Sequence, residues 1–500
     1  MTEDIEQYPD RIAELYANKT IFITGGTGFM GKVLIEKILR IFSATKIFVM
    51  VRTKKGKHPM DRIKEIFAGP LYDKVKKEKG EDVIKLIHPI VGDVTLPNLG
   101  ISPEDRELVT NEAQIIFHCA ATIRFDEHLK KAILLNVRGT KFMLDLAKEC
   151  KQLLSFVHVS TAYCHLNEKI LYEKVYPPPA NPHDLIKTAE WMSDDAIEAI
   201  TPKLLGDIPN SYAFTKALGE ALVVEQSENL PVVVLRPSVV IPIWKEPLPG
   251  WTDNINGPTG LLIGAGKGVI RTMYCKKNSY ADYLPVDIFV NAAVLSVYDC
   301  IVYKRQRWIY NVTSSHLYKI TMQEIIDIGR KVINERMPLN GVAWYPGGSM
   351  KSSKLLHNIC FLLFHIVPAI LVDTILVILG YKPVLMRVQK RIQKGFDVFE
   401  YYANNQWDFD NEESLLAREM MNPLEREKYK IDGEGIDYYE YFTDCTRAAR
   451  LYILNEPDDT LPAARRHMKV MWVVDKVCKT LFILVVGYYL YQKIFKPILT

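Results

Sequence analysis

The segment Thr20–Ile41, TIFITGGTGFMGKVLIEKILRI, constrains this chain more than any other. Thr20–Thr24 is short, apolar and β-branched, and reads as a buried strand. The glycine loop TGGTGFMG follows at Thr24–Gly31. Phe29–Ile41 then carries helical spacing in Val33, Leu34, Lys37, Ile38 and Ile41. In a strand–loop–helix unit each glycine has a physical task. Gly25 permits the tight turn, Gly28 lets backbone N–H groups approach a pyrophosphate, and Gly31 lets the helix pack closely. The positive end of the helix then faces the phosphates. The segment predicts a dinucleotide cradle built from Thr24, Gly25, Thr27, Gly28, Phe29 and Gly31.

The same alternation continues for half the chain. Ile47–Val51, Lys85–Val91, Ile115–Cys119, Phe156–Val159 and Val232–Leu235 read as strands, and Leu129–Lys148 as a helix. These strands lack a polar face, so both faces are covered, as in a parallel sheet flanked by helices. The fold class is α/β, a Rossmann-like doubly wound parallel sheet. Tyr176–Pro182 (YPPPANP) must be extended or turning, and Pro237–Pro258 reads as loops over a pocket mouth.

Cofactor choice is read where the second strand ends. An acid there grips a ribose 2′-OH, whereas a cation pairs with a 2′-phosphate. Arg52 stands at that place, followed by Lys54, Lys55 and Lys57. NADP(H) is therefore expected, with a solvated basic loop as the bland alternative. Gly92–Asp93 after the third strand can contact the adenine. Ala120 and Ala121, after the fourth, let backbone approach the cofactor.

Tyr212 and Lys216 stand four apart in SYAFTKALGEAL and share one helix face. A phenol titrates near 10, and a nearby ammonium favours its phenolate. The same lysine can reach ribose hydroxyls. Ser160 and Thr161 end the fifth strand, at the edge where cofactor and substrate meet in such sheets.

Composition removes other classes. The chain has 500 residues, 48% hydrophobic and 24% charged, with net charge +4. That excludes a disordered, collagen-like or polytopic membrane chain, and a nucleic-acid partner. None of the eight cysteines falls in a CxxC pair, so neither structural zinc nor a disulfide framework is expected. Mean hydropathy of −0.02 is high for a soluble enzyme of this charge, so apolar runs must be concentrated somewhere.

They lie in the second half, where Thr321–Asn334 and then Trp407–Leu424 and Gly433–Tyr452 read as helical. Leu355–Leu379 is strongly apolar but carries Pro368, Asp373 and two histidines. It can line an acyl channel, dip into a bilayer, or form a buried helix pair broken at Pro368. Asp373 argues against a plain lipid-facing span. Near the end, Thr480–Tyr491 is apolar, with Lys476 and Lys479 before it and Lys493 and Lys496 after it. Met471–Phe495 reaches span length if the lysines snorkel and Asp475 sits near an interface. It reads as a membrane-associated helix, against the alternative of a buried terminal helix. Arg465, Arg466 and Lys469 would then suit an anionic surface.

The chain resembles the insect-type eukaryotic fatty acyl-CoA reductases of the extended short-chain dehydrogenase/reductase superfamily. The resemblance is carried by Ile23–Arg40, Ala120–Thr140, His158–Cys164 (HVSTAYC), Tyr212–Glu220, Leu235–Val240, Glu246–Gly260 and Ala281–Asp287. In the second half it is carried by Phe364–Asp373 and Ala449–Glu456. It implies an NADP-binding thioester reductase domain at 16–340, a helical domain at 350–460 and a membrane anchor at 471–495. It further implies NADPH-dependent reduction of fatty acyl-CoA to a primary alcohol through an aldehyde. The family's catalytic set falls on Thr161, Tyr212 and Lys216, with Ser160 adjacent. The 51 positions from Thr161 to Tyr212 fit the insertion such reductases carry. CoA phosphates need cations, for which Lys267, Arg271, Lys276 and Lys277 are candidates beside the alternative of a solvated face. An intracellular membrane is implied, endoplasmic reticulum or peroxisome, with the catalytic domain facing the cytosol. A reductase that stops at aldehyde, a sterol or sugar-nucleotide dehydrogenase and a non-catalytic dinucleotide sensor remain open alternatives.

Overall fold

The computed structural model describes residues 5–43, 46–53, 56, 58–255, 257–304, 306–314 and 319–492. Lys54, Lys55, Lys57, Lys493, Lys496 and the last residues of the expected anchor lie outside them.

Two compact units share the chain: residues 1–249, 280–320 and 405–436 form the larger, and 250–279, 321–404 and 437–500 the smaller. Both are assembled from separated segments, whereas the sequence suggests continuous domains.

The larger unit is built on seven strands: β1 Thr20–Thr24, β2 Lys46–Val51, β3 Ile87–Val91, β4 Ile115–His118, β5 Ser155–Val159, β6 Val232–Pro237 and β7 Ile309–Val312. Their order is β3-β2-β1-β4-β5-β6-β7, and every neighbouring pair is parallel. The direction of strand addition reverses between β1 and β4, which opens a crevice at the carboxyl ends of those strands. Phe22, Phe48, Ile116, Phe156 and Val234 build one layer of core on the sheet.

Helix α1, Phe29–Ile41, follows β1 with the predicted bounds. Helix α2, Ser211–Glu225, carries Tyr212 and Lys216, and Asn210 caps it by accepting from the Ala213 N–H. The helix from Leu129 to Glu149 is interrupted by a π-type turn at Ile133–Arg138. Residues 85–86, read as strand, close a 3-10 turn before β3. In YPPPANP the chain stays irregular until Pro182, which opens a helix capped by Asn181 because its missing N–H is not needed there. Two parts of the expected loops and helices are instead short strands. Val239–Ile241 pairs with Tyr283–Pro285, and Asp408–Phe409 with Ile170–Leu171.

The smaller unit holds a two-stranded parallel ladder, Thr272–Tyr274 with Ser349–Lys351. Its long helices are α3 Lys354–Ile378, α4 Leu385–Asn404 and α5 Leu461–Leu490. Pro368 does not break α3. A wider π-type turn at Leu362–Ile366 precedes it and absorbs the missing N–H. Nor is α3 a buried helix: Leu371 is 60% and Ile378 78% exposed. Among the described residues, α3 is the one helix long and apolar enough to cross a membrane. Length and composition thus single out α3 rather than the tail helix α5.

Candidate functional site

The glycine loop has the shape its sequence demands. Gly25 has φ +72°, and a Cβ there would lie 2.8 Å from the Ala120 nitrogen. At Gly31 a Cβ would lie 2.4 Å from the Gly25 oxygen. Only glycine fits either place. Gly28 caps α1 without a side chain, so the first N–H groups of the helix stay available for phosphate. Thr27 and Phe29 are half-buried and Gly28 exposed on this loop. The cradle therefore fits a dinucleotide pyrophosphate.

Thr24 supports the loop from below. The Ala120 N–H donates to its hydroxyl at 3.3 Å, and the hydroxyl lies 2.8 Å from His118 Nδ1. The Thr140 hydroxyl, spending its proton on the Asn136 carbonyl, accepts from His118 Nε2 at 3.1 Å, so Nε2 carries the ring proton and Nδ1 accepts from Thr24. Thr140 donates to the Asn136 carbonyl at 2.7 Å, and the Asn136 amide donates to Thr215 at 3.0 Å. This buried relay joins β1, β4, the π-type turn and α2. Burial, then the Lys216 charge, pushes the His118 imidazole down to about 3. It works as a neutral spacer. Sequence reasoning missed the relay because its members are far apart in the chain.

At the end of β5, the Thr161 hydroxyl donates to the Pro237 carbonyl at 3.4 Å and accepts from the Tyr163 N–H at 3.2 Å. It also shares a hydrogen bond with Tyr212. Phe125 stacks on the Tyr212 ring, with centroids 5.3 Å apart. Burial raises the Tyr212 phenol to about 12, and the Thr161 bond only partly offsets it. The Lys216 ammonium donates to the Val159 carbonyl instead. The expected depression of Tyr212 by Lys216 is thus not what this geometry displays. Tyr212 is a neutral phenol, suited to give a proton.

Burial lowers Lys216 to about 8, against the opposing pull of Cys164, Cys119 and Glu220. Its charge is therefore present below that pH and lost above it. Dinucleotide affinity is expected to fall as pH rises through about 8. Fluorescence titration on both sides of that value reads the limb, and Lys216→Arg, which keeps its charge, should remove it.

Behind this triad lies an ion pair that sequence reasoning missed. Glu220, one turn beyond Lys216, accepts from the Ser160 hydroxyl at 2.6 Å and from Arg236 Nη2 at 2.6 Å and Nε at 3.2 Å. Arg236 is fully buried and also donates to the Tyr172 carbonyl at 3.0 Å and the Lys174 carbonyl at 2.8 Å. The pair ties the strand end to the start of the insertion. Burial opposes the charge on Glu220, yet Arg236 and His165 hold its carboxyl well below the usual range. Burial likewise opposes charge on His165, but Cys164 and Glu220 lift it to about 10. Cys164, His165 and Glu220 are grouped closely enough for a metal ion. However, both Glu220 oxygens are engaged and the Arg236 charge would repel a cation.

The other predicted residues are dispersed. Arg52 directly follows β2, its side chain 66% exposed, with its guanidinium 3.9 Å from Asp93. Asp93 also binds the Thr95 N–H and hydroxyl at 2.9 and 2.8 Å. Of the cations considered for CoA, Lys267 pairs with Glu456 at 2.6 Å and Arg271 donates to the Tyr345 carbonyl at 2.7 Å. Lys276 and Lys277 are exposed on the smaller unit.

Two family profiles match, both described as male sterility protein: an NAD-binding one over residues 23–293 and a second over 364–456. Rat fatty acyl-CoA reductase 1 is 40% identical over 91% of this chain and 89% of its own length. Mouse fatty acyl-CoA reductase 2 is 36% identical, over 95% and 92%. A Drosophila melanogaster relative is 34% identical, over 92% and 90%. Among solved structures, the terminal R domain of the myxalamid pathway aligns with TM-score 0.59 at 18% identity, over 88% of this chain and 94% of that one. The last likeness concerns the fold. The two profiles and the full-length relatives together establish that the chain belongs to the fatty acyl-CoA reductase family.

Proposed function

We propose that the chain reduces long-chain fatty acyl-CoA to the primary fatty alcohol through an aldehyde, with NADPH as donor. The observation that carries this is the neutral Tyr212 hydroxyl, hydrogen-bonded to Thr161 at the carboxyl edge of β5. NADPH, held by the glycine loop, would supply the hydride needed at the thioester carbonyl carbon and, in a second round, at the aldehyde carbon. Tyr212 and Thr161 hold the carbonyl oxygen and stabilise the negative charge that develops there. Tyr212 gives that oxygen its proton. Collapse of the hemithioacetal expels the CoA thiol. Lys216 would hold the ribose with the ammonium protons that it does not give to the Val159 carbonyl.

The full chain should oxidise NADPH in the presence of long-chain acyl-CoA and yield alcohol. Aldehyde alone would support a partial reductase. No oxidation with any acyl-CoA would overturn the reading.

Preference for NADPH rests on Arg52, with no acid beside it on β2. Loss of one charge-assisted contact is worth about a tenfold change. Arg52→Ala should therefore raise KM for NADPH about tenfold and leave that for NADH unchanged; equal effects on both would reject the phosphate role.

A membrane location is supported by the exposed apolar run of α5, Leu481–Val486; endoplasmic reticulum or peroxisome, with the site facing the cytosol, rests on the family resemblance alone. Asp475 on that helix is satisfied by the Trp344 indole and by Lys479, each at 2.6 Å. The insect-type branch rests on the motifs alone. Identity is higher to the rat protein than to the fly relative.

A further inference from the structure

The apolar helix α3 is fastened along one side and bare along the rest. His357 lies 3.2 Å from the Thr272 hydroxyl. His365 Nε2 accepts from the Arg271 N–H at 3.0 Å, so its Nδ1 carries the proton and donates to Gln389 Oε1 at 2.9 Å. Phe361 stacks on His365 with centroids 4.6 Å apart and meets Phe396 of α4 edge-on. The histidines that interrupt the apolar run therefore face protein. Leu363, Ile370, Leu371, Ile375 and Ile378 are more than two-fifths exposed.

By length alone α3 could cross a bilayer. Its 25 residues reach roughly 37 Å at a helical rise, against a hydrocarbon core of about 30 Å. The turn into α4 forbids it. The Asp373 carboxylate accepts from the Val384, Leu385 and Met386 N–H groups at 3.0, 2.9 and 2.8 Å. It caps α4 while standing on α3, so the chain reverses at once. The Gln389 and Phe396 contacts then hold α4 back along α3. If α3 crossed a membrane, α4 would have to return through it. Yet α4 carries Arg387, Lys390, Arg391 and Lys394, all exposed and spaced as one helical stripe. Four cations on one lipid-facing stripe are too costly to bury.

We propose that α3 and α4 form a hairpin that lies in one leaflet: the exposed face of α3 enters the acyl region, and the α4 stripe binds anionic headgroups. The hairpin thus docks the smaller unit on a negatively charged membrane surface without spanning it. Charge complementarity favours phospholipid over a protein partner as the occupant. The proposal rests on the membrane location proposed above and is independent of the chemistry.

The test uses the full chain with Lys354→Cys or Lys382→Cys, one at each end of α3. Sealed membranes from expressing cells are treated with an impermeant maleimide, and labelling is mapped by peptide mass. Both positions should react before detergent. Labelling of Lys382→Cys only after detergent, with Lys354→Cys reactive throughout, would show a span and overturn the hairpin. In parallel, full chain is added to vesicles of phosphatidylcholine with or without phosphatidylserine. Arg387→Glu, Lys390→Glu, Arg391→Glu and Lys394→Glu together should weaken binding to the anionic vesicles by roughly a thousandfold or more. Dinucleotide binding, read on the same sample, reports retained folding. Unchanged vesicle binding would overturn the headgroup role. Absence of the chain from membranes would sink this proposal and the membrane location together, with reductase turnover unaffected.

Discussion

Tyr212→Phe should lower kcat for acyl-CoA reduction by about a thousandfold while leaving dinucleotide binding nearly intact. A positioned general acid is worth about 10²–10⁴ in rate, or ~3–5 kcal/mol of barrier. Tyr212 is the phenol at the strand edge, and burial keeps it protonated, with its titration moved up to about 12. Phenylalanine retains the ring that stacks on Phe125. Stability should change little, because the lost hydroxyl leaves only Thr161 short of one partner, at a cost of ~1 kcal/mol. That oxygen keeps its bonds to Pro237 and Tyr163. Turnover and thermal melting separate the two effects. Full turnover by Tyr212→Phe would remove the proposed proton donor.

The second large effect belongs to the pair behind the site. Glu220→Leu should destabilise the larger unit by ~3–5 kcal/mol, since it strands a buried guanidinium. Native domains hold only about 5–15 kcal/mol in total, so this loss is severe. Arg236 has no access to solvent. It keeps its bonds to the Tyr172 and Lys174 carbonyls, but these leave the positive charge uncompensated. Glu220→Leu combined with Arg236→Met should recover much of the loss, because an apolar pair of similar volume removes the unpaired charge. Melting of the two single variants and the double closes the cycle. If both single variants melt like the parent, the pair does not anchor the insertion. Activity should remain low in the double variant even when stability returns, because Ser160 loses its acceptor at 2.6 Å.

Much of the fold was legible because its signals are local. β1 and α1 fall where a β-branched run, a glycine loop and helical spacing place them. The tasks of Gly25 and Gly31 follow from backbone sterics, so they too could be read without coordinates. The Tyr212–Lys216 spacing placed both on α2, yet it did not reveal that Lys216 turns to the Val159 carbonyl. That depends on how deeply α2 packs, which no four-residue motif encodes. The His118–Asn136–Thr215 relay and the Glu220–Arg236 pair join strands and helices far apart in sequence, so no local pattern announces them. Asp408–Phe409 pairs with Ile170–Leu171, whose first residues are 238 positions apart in the chain. A two-residue strand carries no periodicity, and the segment read as helical. Pro368 misled for the opposite reason: the local rule is sound, but the π-type turn before it absorbs the missing donor.

The central claim is carried-through reduction at one site, and its most direct test is stoichiometry. Full chain is incubated with NADPH deuterated at the transferable position and a long-chain acyl-CoA. NADPH consumed, CoA released and alcohol formed are measured together. The account predicts two NADPH per CoA and per alcohol, with both new hydrogens at the alcohol carbon deuterated. One NADPH per CoA with aldehyde accumulating, or no oxidation at all, would contradict it.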